Sequence, residues 1–232
     1  MSLVETDWLK KNIGSVKIID CSWHMPQTKR SGIKEYKNQH IPNSIFFDLD
    51  ANSKKEIDLP HMLVNQSDWE QIVSKMGVKN EDEIVIYDNS DVISSCRCWF
   101  NFIYFGHNPK LVHVLNGGLK KWIKENNEVT KNITNIQQSN YKSFEKKELV
   151  KNKKSINQNI NEQKFKVIDA RSKERFEGKV QEPRKGLRSG SIKNSFCIPF
   201  DQCLNENKTF KSKENLKLIF ETCLENINEK NI

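Results

Sequence analysis

The sequence predicts an α/β chain of two similar domains, each a doubly wound parallel sheet, and three observations carry that reading. Short apolar runs that stop at a polar residue alternate with amphipathic stretches, the order produced when strands and helices take turns along a helix-covered parallel sheet. The opening pattern returns in the second half of the chain: Val16-Lys-Ile-Ile-Asp20 and His40-Ile-Pro-Asn-Ser44 are echoed by Phe165-Lys-Val-Ile-Asp169 and Ser191-Ile-Lys-Asn-Ser195. At 232 residues and 36% hydrophobic content, the chain is long and apolar enough to bury real cores.

In chain order, Val16–Asp20 reads as a buried strand ending at a polar edge, and Ser44–Phe47 as a second short strand after a polar loop. Ser67-Asp-Trp-Glu70 has the form of a capping box. Trp69, Ile72, Val73 and Met76 then make a helical stripe that Gly77 ends. Strand Glu83–Tyr87, a loop from Asp88 to Ser95 and a helix beginning near Cys96 follow. Strand Leu111–Leu115, a turn at Gly117-Gly118 and a helix over Leu119–Lys124 complete the first copy, residues 1–125. Residues 126–163, rich in Asn, Lys, Gln and Ser, read as a linker with one short helix near Lys147–Leu149. The second copy, residues 164–232, repeats the two strands and adds a helix capped by Ser212, with Leu216, Ile219, Phe220, Cys223 and Leu224 as its stripe. The counterpart of the 88–95 loop falls beyond Ile232, so this copy is expected to be incomplete at its C-terminus and less well ordered than the first.

Charge and composition narrow the function classes. A formal net charge of +8 invites a nucleic-acid reading. The lysines, however, are scattered among Asn, Asp and Glu with no stripe on a predicted helix face, so no nucleic-acid partner is expected. No apolar run approaches the roughly 18 residues of a membrane span, and Met1–Asp7 carries acidic residues rather than the apolar segment of a signal peptide. No membrane partner is expected. The six cysteines show no C-x-x-C and no metal-ligand spacing, Cys96-Arg-Cys98 standing alone, so no metal or other cofactor is expected. Their apolar surroundings and the lack of a disulfide framework suit a reducing cytoplasm.

Arginine is the sharpest signal. Only six of the 38 basic residues are Arg, and four fall in one short stretch: Arg171, Arg175, Arg184 and Arg188. Lysine serves everywhere else. A switch to Arg suggests a need for a planar, permanently charged fork that grips an oxyanion through paired hydrogen bonds. A salt-bridged surface turn is the alternative, because Glu174, Glu177 and Glu182 lie among the arginines. His61, in a loop after Pro60, is likewise open to a purely surface role.

The blocks D-C-S-W-H-M-P, H-I-P-N-S-I-F-F-D-L-D, H-M-L, F-G-H and L-N-G-G-L-K-K-W in the first copy, and D-A-R-S-x-x-R-F-x-G-x-x-x-E-P-R-x-G-L-R-S-G-x-I in the second, occur in this order along nearly the whole chain. Together they resemble the rhodanese family, specifically its tandem-domain mercaptopyruvate and thiosulfate sulfurtransferases. The resemblance implies two rhodanese-like doubly wound parallel-sheet α/β domains, the second incomplete at its C-terminus, with the active site between them. It implies transfer of a sulfane sulfur from a small anionic donor, mercaptopyruvate or thiosulfate, through a cysteine persulfide to a thiol or cyanide acceptor. By the same resemblance Arg175 and Arg184 hold the donor's carboxylate or sulfonate, Arg188 assists, and Asp50 and His61 handle protons, with Asp48 a rival for Asp50. Paired Arg suits a carboxylate and favours mercaptopyruvate.

The departure is the nucleophile. The family's C-G-x-G-V-T-type loop favours a thiolate through its amide N–H groups and the helix N-terminus behind it, and these 232 residues contain no C-G-x-G. The chain as written is therefore expected to be inactive alone. Two further readings use the same fold. One is a non-catalytic module that binds an anion or a partner; the retained proton-handling pair counts against it. The other is a phosphatase, whose own cysteine loop is equally absent.

Overall fold

The computed structural model describes residues 2–55, 57, 59–183 and 186–224. Two units form, Met1–Leu149 and Val150–Ile232.

The first unit contains β1 (Leu3–Val4), α1 (Thr6–Asn12), β2 (Lys17–Asp20), α2 (Gly32–Asn38), β3 (Ser44–Phe46), α3 (Gln66–Lys75), β4 (Ile84–Tyr87), α4 (Ser95–Tyr104), β5 (Val112–Leu115) and α5 (Gly118–Lys124). Every strand pairing is parallel, in the order β1-β5-β4-β2-β3. Strand alternation splits the apolar residues between two faces. Ile19, Ile84 and Ile86 pack with Trp69 and Val73 of α3 and Phe102 of α4. Ile18, Val85 and Tyr87 pack with Leu9 of α1 and Leu119 and Trp122 of α5. The sheet is thus covered on both sides, as a doubly wound domain requires.

Two local features differ from the sequence reading. Helix α3 starts before Ser67: Asn65 is the cap, its side chain accepting from the Asp68 N–H at 2.9 Å and donating to Asp68 Oδ2 at 2.9 Å. Glu70 is drawn elsewhere, accepting from the Ser143 N–H at 2.9 Å. Beyond the helix Gly77 adopts φ 65°, and a Cβ there would stand 2.5 Å from the Gln137 carbonyl oxygen, so the glycine is needed for both conformation and space. The segment after α5, despite its polar composition, lies along the first unit as far as Leu149. Thr130 bridges His40, and Tyr141, 1% exposed, donates its backbone N–H to Ser74 Oγ at 3.0 Å while its hydroxyl meets His107 Nδ1 at 3.1 Å.

The second unit contains α6 (Lys153–Glu162), β6 (Val167–Asp169), α7 (Lys173–Phe176), β7 (Ser195–Cys197) and α8 (Lys213–Leu224). Helix α6 falls where composition suggested linker. Asn152 caps it, and buried Asn159 clasps both backbone groups of Phe165, bonding N–H at 3.0 Å and C=O at 2.7 Å. Strands β6 and β7 pair in parallel, Ile168 opposite Phe196. Ser212 caps α8 through the Asn215 N–H at 3.3 Å. The foreseen stripe of α8 faces inward, with Leu224 fully buried, while Leu218 is 63% exposed.

Candidate active site

In the first unit the chain leaves β3 through a turn that separates the roles of two aspartates. Asp48 Oδ1 accepts from the Ala51 N–H at 2.8 Å and so holds its own turn. Leu49 is buried between them and anchors the backbone. Asp50 projects outward: Oδ1 meets His61 Nε2 at 2.9 Å and Oδ2 accepts from Trp23 Nε1 at 2.9 Å. The two sequence-predicted residues of this unit are therefore in direct contact, and Asp48 is not part of the pair. His61 stands at φ 56°, a left-handed conformation uncommon for a side chain of its size. Its ring meets the Trp23 ring edge-on at 4.7 Å, and its carbonyl accepts from Nη2 of Arg97 on α4.

Trp23 is itself fixed from the neighbouring loop. Ser94 Oγ accepts from its N–H at 3.1 Å and Ser90 Oγ donates to its C=O at 2.6 Å. The same loop, 88–95, follows β4 and opens helix α4, where a doubly wound sheet offers amide groups to a ligand. Here Asp88 fills that place: it is buried and accepts from the N–H groups of Ser90 and Ser95, both at 2.8 Å. Burial pushes its carboxyl above the ordinary range, against those two hydrogen bonds. Gly118 lets α5 close on this loop, since a Cβ would lie 2.4 Å from the Asp88 carbonyl oxygen.

In the second unit Asp169, at the end of β6, and Glu182 organise the arginines. Arg171 Nε lies 2.9 and 3.0 Å from the two Asp169 oxygens, and its Nη1 lies 2.7 Å from Glu182 Oε1. Arg175 Nε meets the same Oε1 at 3.2 Å while its Nη2 meets Oε2. The Glu182 side chain is only 4% exposed. Hydrogen bonding by Arg171 holds Asp169 below the ordinary carboxylate range, and Arg175 does the same for Glu182. Glu177 pairs instead with Lys173 and Lys179. Arg188 is exposed, donating to the Ser191 carbonyl at 3.3 Å. Arg184 lies outside the described residues.

None of the cysteines with a shifted thiol is poised as a thiolate. Burial drives Cys21 well up, lifts Cys96 to about 12, and raises Cys197 and Cys203. Cys96 and Cys98 lie within α4, and Cys98 is fully buried.

Residues 5–125 match the rhodanese-like domain family. The chain belongs to the rhodanese family. Similarity to individual proteins extends through both units and spans about two thirds to three quarters of the length of the relatives named below. Thiosulfate/3-mercaptopyruvate sulfurtransferase 1, mitochondrial, of Arabidopsis thaliana is 38% identical over 242 residues, covering 94% of this chain and 63% of the plant protein. The 3-mercaptopyruvate sulfurtransferase of Mus musculus is 31% identical, with 94% and 76% covered. Among solved structures, SseA from Escherichia coli, presented as a rhodanese fold of 3-mercaptopyruvate sulfotransferases, superposes with a TM-score of 0.86 at 28% identity over 96% of this chain and 83% of that one. The rhodanese fold accounts for the α/β class and the repeated parallel sheet pattern. No helix among the described residues is long and apolar enough to cross a membrane.

Two residues of the first unit escaped the sequence reading as site members, Trp23 and Arg97. A signal existed for the second: outside the 171–188 cluster the chain has only Arg30 and Arg97.

Proposed function

We propose that the chain serves sulfur transfer from a small anionic donor to a thiol or cyanide acceptor through a cysteine persulfide. The observation that carries the reading is the Asp50–His61 contact at 2.9 Å. With mercaptopyruvate, a cysteine thiolate attacks the donor's sulfur, the carbon–sulfur bond breaks, and pyruvate leaves as an enolate that must take up a proton. With thiosulfate the sulfur–sulfur bond breaks and sulfite leaves as an anion with no proton required. A carboxylate-held imidazole suits the first donor, and so do arginines, which grip carboxylates through paired bonds. In this reading Arg175 and Arg184 hold the donor, Arg188 assists, and the two rhodanese-like domains are residues 1–125 and 164–232 with 126–163 joining them. The free cysteines suit a reducing cytoplasm.

The nucleophile is not among these 232 residues, which contain no C-G-x-G, and the raised thiols of Cys21, Cys96, Cys197 and Cys203 do not replace it. The 232-residue chain alone is accordingly expected to turn over neither donor. Cyanolysis assays with both donors, combined with mass spectrometry for a sulfur adduct, test this. An adduct that disappears on mutating one of the six cysteines would overturn the assignment of all of them to packing.

One observation favours a second reading, a non-catalytic rhodanese-fold module. Glu182 already occupies the Nε and Nη2 edge of Arg175. If thiosulfate and mercaptopyruvate leave the Arg175 Nε–H signal unmoved in NMR titrations of the chain, this second reading gains and the donor-binding role of Arg175 falls.

A further inference from the structure

We propose that Trp23 and Arg97 are positioning residues that fix the orientation and tautomer of His61, leaving Nδ1 as the atom that exchanges a proton. The inference rests on the proton-handling role given to the Asp50–His61 pair. It goes beyond that role by naming what holds the pair and which ring nitrogen works.

Four contacts define the arrangement. The Asp50 carboxylate is 67% exposed, so nothing but its partners prevents it from turning into solvent. Trp23 Nε1 donates to its Oδ2 at 2.9 Å, and that indole is anchored at both its own backbone groups by Ser94 and Ser90. One carboxylate oxygen is thereby taken by a fixed donor, and the other is left aimed at His61 Nε2 at 2.9 Å. The edge-on contact with the Trp23 ring, at 4.7 Å and 89°, limits rotation of the imidazole. Arg97 acts from the other side. Its Nη2 donates to the His61 carbonyl, and its guanidinium lies 5.7 Å from the Phe100 ring centre on the same helix. A backbone bond to a half-buried, helix-borne Arg offsets the unfavourable left-handed conformation at His61, φ 56°.

The tautomer follows from hydrogen-bond chemistry. A carboxylate only accepts, so the proton of a neutral His61 sits on Nε2, and Nδ1 carries the lone pair. Nδ1 makes no hydrogen bond among the described residues, and the side chain is 18% exposed, enough for a small molecule to reach it.

The test is nitrogen-15 NMR of histidine-labelled 232-residue chain, reading the two ring nitrogens of His61 at a pH where the ring is neutral. The expected wild-type result is a single species, protonated on Nε2. Trp23→Phe keeps the ring but removes the N–H, and Arg97→Lys keeps the charge but removes the fork. Each is expected to convert His61 to a mixture of tautomers while the melting temperature and the methyl spectrum stay those of a folded protein. Should either variant fail to fold, Asp50→Asn at an exposed position supplies the second readout: the Trp23 indole N–H signal is expected to move upfield as it loses a charged acceptor. A His61 that remains purely Nε2-protonated in both folded variants, or an indole signal indifferent to Asp50→Asn, overturns the positioning role and leaves the sulfur-transfer reading standing. A wild-type His61 protonated on Nδ1 overturns both.

Discussion

Glu182 holds Arg175 through both carboxylate oxygens, with Nε at 3.2 Å from Oε1 and Nη2 on Oε2. The same Oε1 also receives Arg171 at 2.7 Å, so one nearly buried carboxylate links the end of β6 to α7. Glu182→Gln removes the charge and one of the acceptor sites while leaving the volume almost unchanged. Two guanidinium groups then compete for a single neutral oxygen. Amide exchange is expected to accelerate at Gly178 and Lys179, whose N–H groups close the end of α7 on Arg175 and Glu174. Unchanged exchange there would show that the turn is held by its backbone alone.

The same ion pairs give the second unit an acid limit. Asp169 is held below its ordinary value chiefly by the Arg171 hydrogen bonds, and Glu182 chiefly by Arg175. A carboxyl depressed in the folded state contributes stability above its unfolded value of about 4, and that contribution is lost as pH falls through the lower folded value. Protection of β6 and β7 is therefore expected to decline on acidification below about pH 4 and to decline less in Glu182→Gln. Partial exposure of both arginines makes the effect salt-sensitive. An acid limit indifferent to that substitution would assign it elsewhere.

Asp20 carries the opposite sign in the first unit. It is 1% exposed at the end of β2, and burial, with the charge of Asp88 nearby, raises its carboxyl to about 6. A raised carboxyl means that the folded state keeps a proton the unfolded state has released. The resulting cost is absent below about pH 4 and fully present above the folded value of about 6, where it amounts to roughly 3 kcal/mol. Asp20→Asn retains an oxygen for the Ser22 N–H, which Oδ1 accepts at 2.8 Å. The variant is expected to be more stable than wild type at pH 7, with the advantage shrinking toward pH 4. Urea unfolding followed by tryptophan fluorescence measures it cleanly, because all five tryptophans lie in the first unit. Equal stability at pH 7 would mean that the Asp20 charge carries no net cost in the folded protein.

How much of this was legible in the sequence depended on what each residue's signal looked like. Strands β2, β4 and β5 were readable because both faces of the sheet are covered, so each carries a short, mostly apolar run. Helix α2 was read as polar loop because only Tyr36 of its seven residues is buried, and α6 was read as linker for a similar reason, with Asn159 as its buried residue. The cap of α3 was displaced because Glu70 bonds to Ser143, a contact far away in sequence that no local pattern encodes. Asp50 and His61 were legible only as parts of a family motif. Their mutual contact, and the bonds from Trp23 and Arg97, arise from three loops and a helix brought together by the fold. The arginine cluster was legible by its scarcity elsewhere, whereas its internal pairing with Asp169 and Glu182 was not.

Burial differs between the two sheets, and protection from exchange should follow it. All four residues of β4 are buried, and β2 beside it has Ile18 and Ile19 at 0% exposure. Strands β6 and β7 form a two-stranded sheet in which every residue is only half-buried. Two-stranded parallel pairing gives few ladder bonds, and a pair without a fully buried face is marginal unless helices pack on it. Here α8 supplies that packing with Leu216, Ile219 and Phe220, themselves half-buried, and with Leu224. Each large apolar side chain fully withdrawn from water contributes roughly 1.5–3 kcal/mol, so a sheet made of half-buried residues opens at a much smaller free energy than one whose residues are fully enclosed. Amides at Ile18–Asp20 are accordingly expected to exchange at least about a hundredfold more slowly than those at Val167–Asp169, a separation of about 2.7 kcal/mol in opening free energy. Hydrogen exchange read residue by residue decides the point. Equal protection at the two strands would mean that the second unit draws stability from contacts other than the burial of β6 and β7.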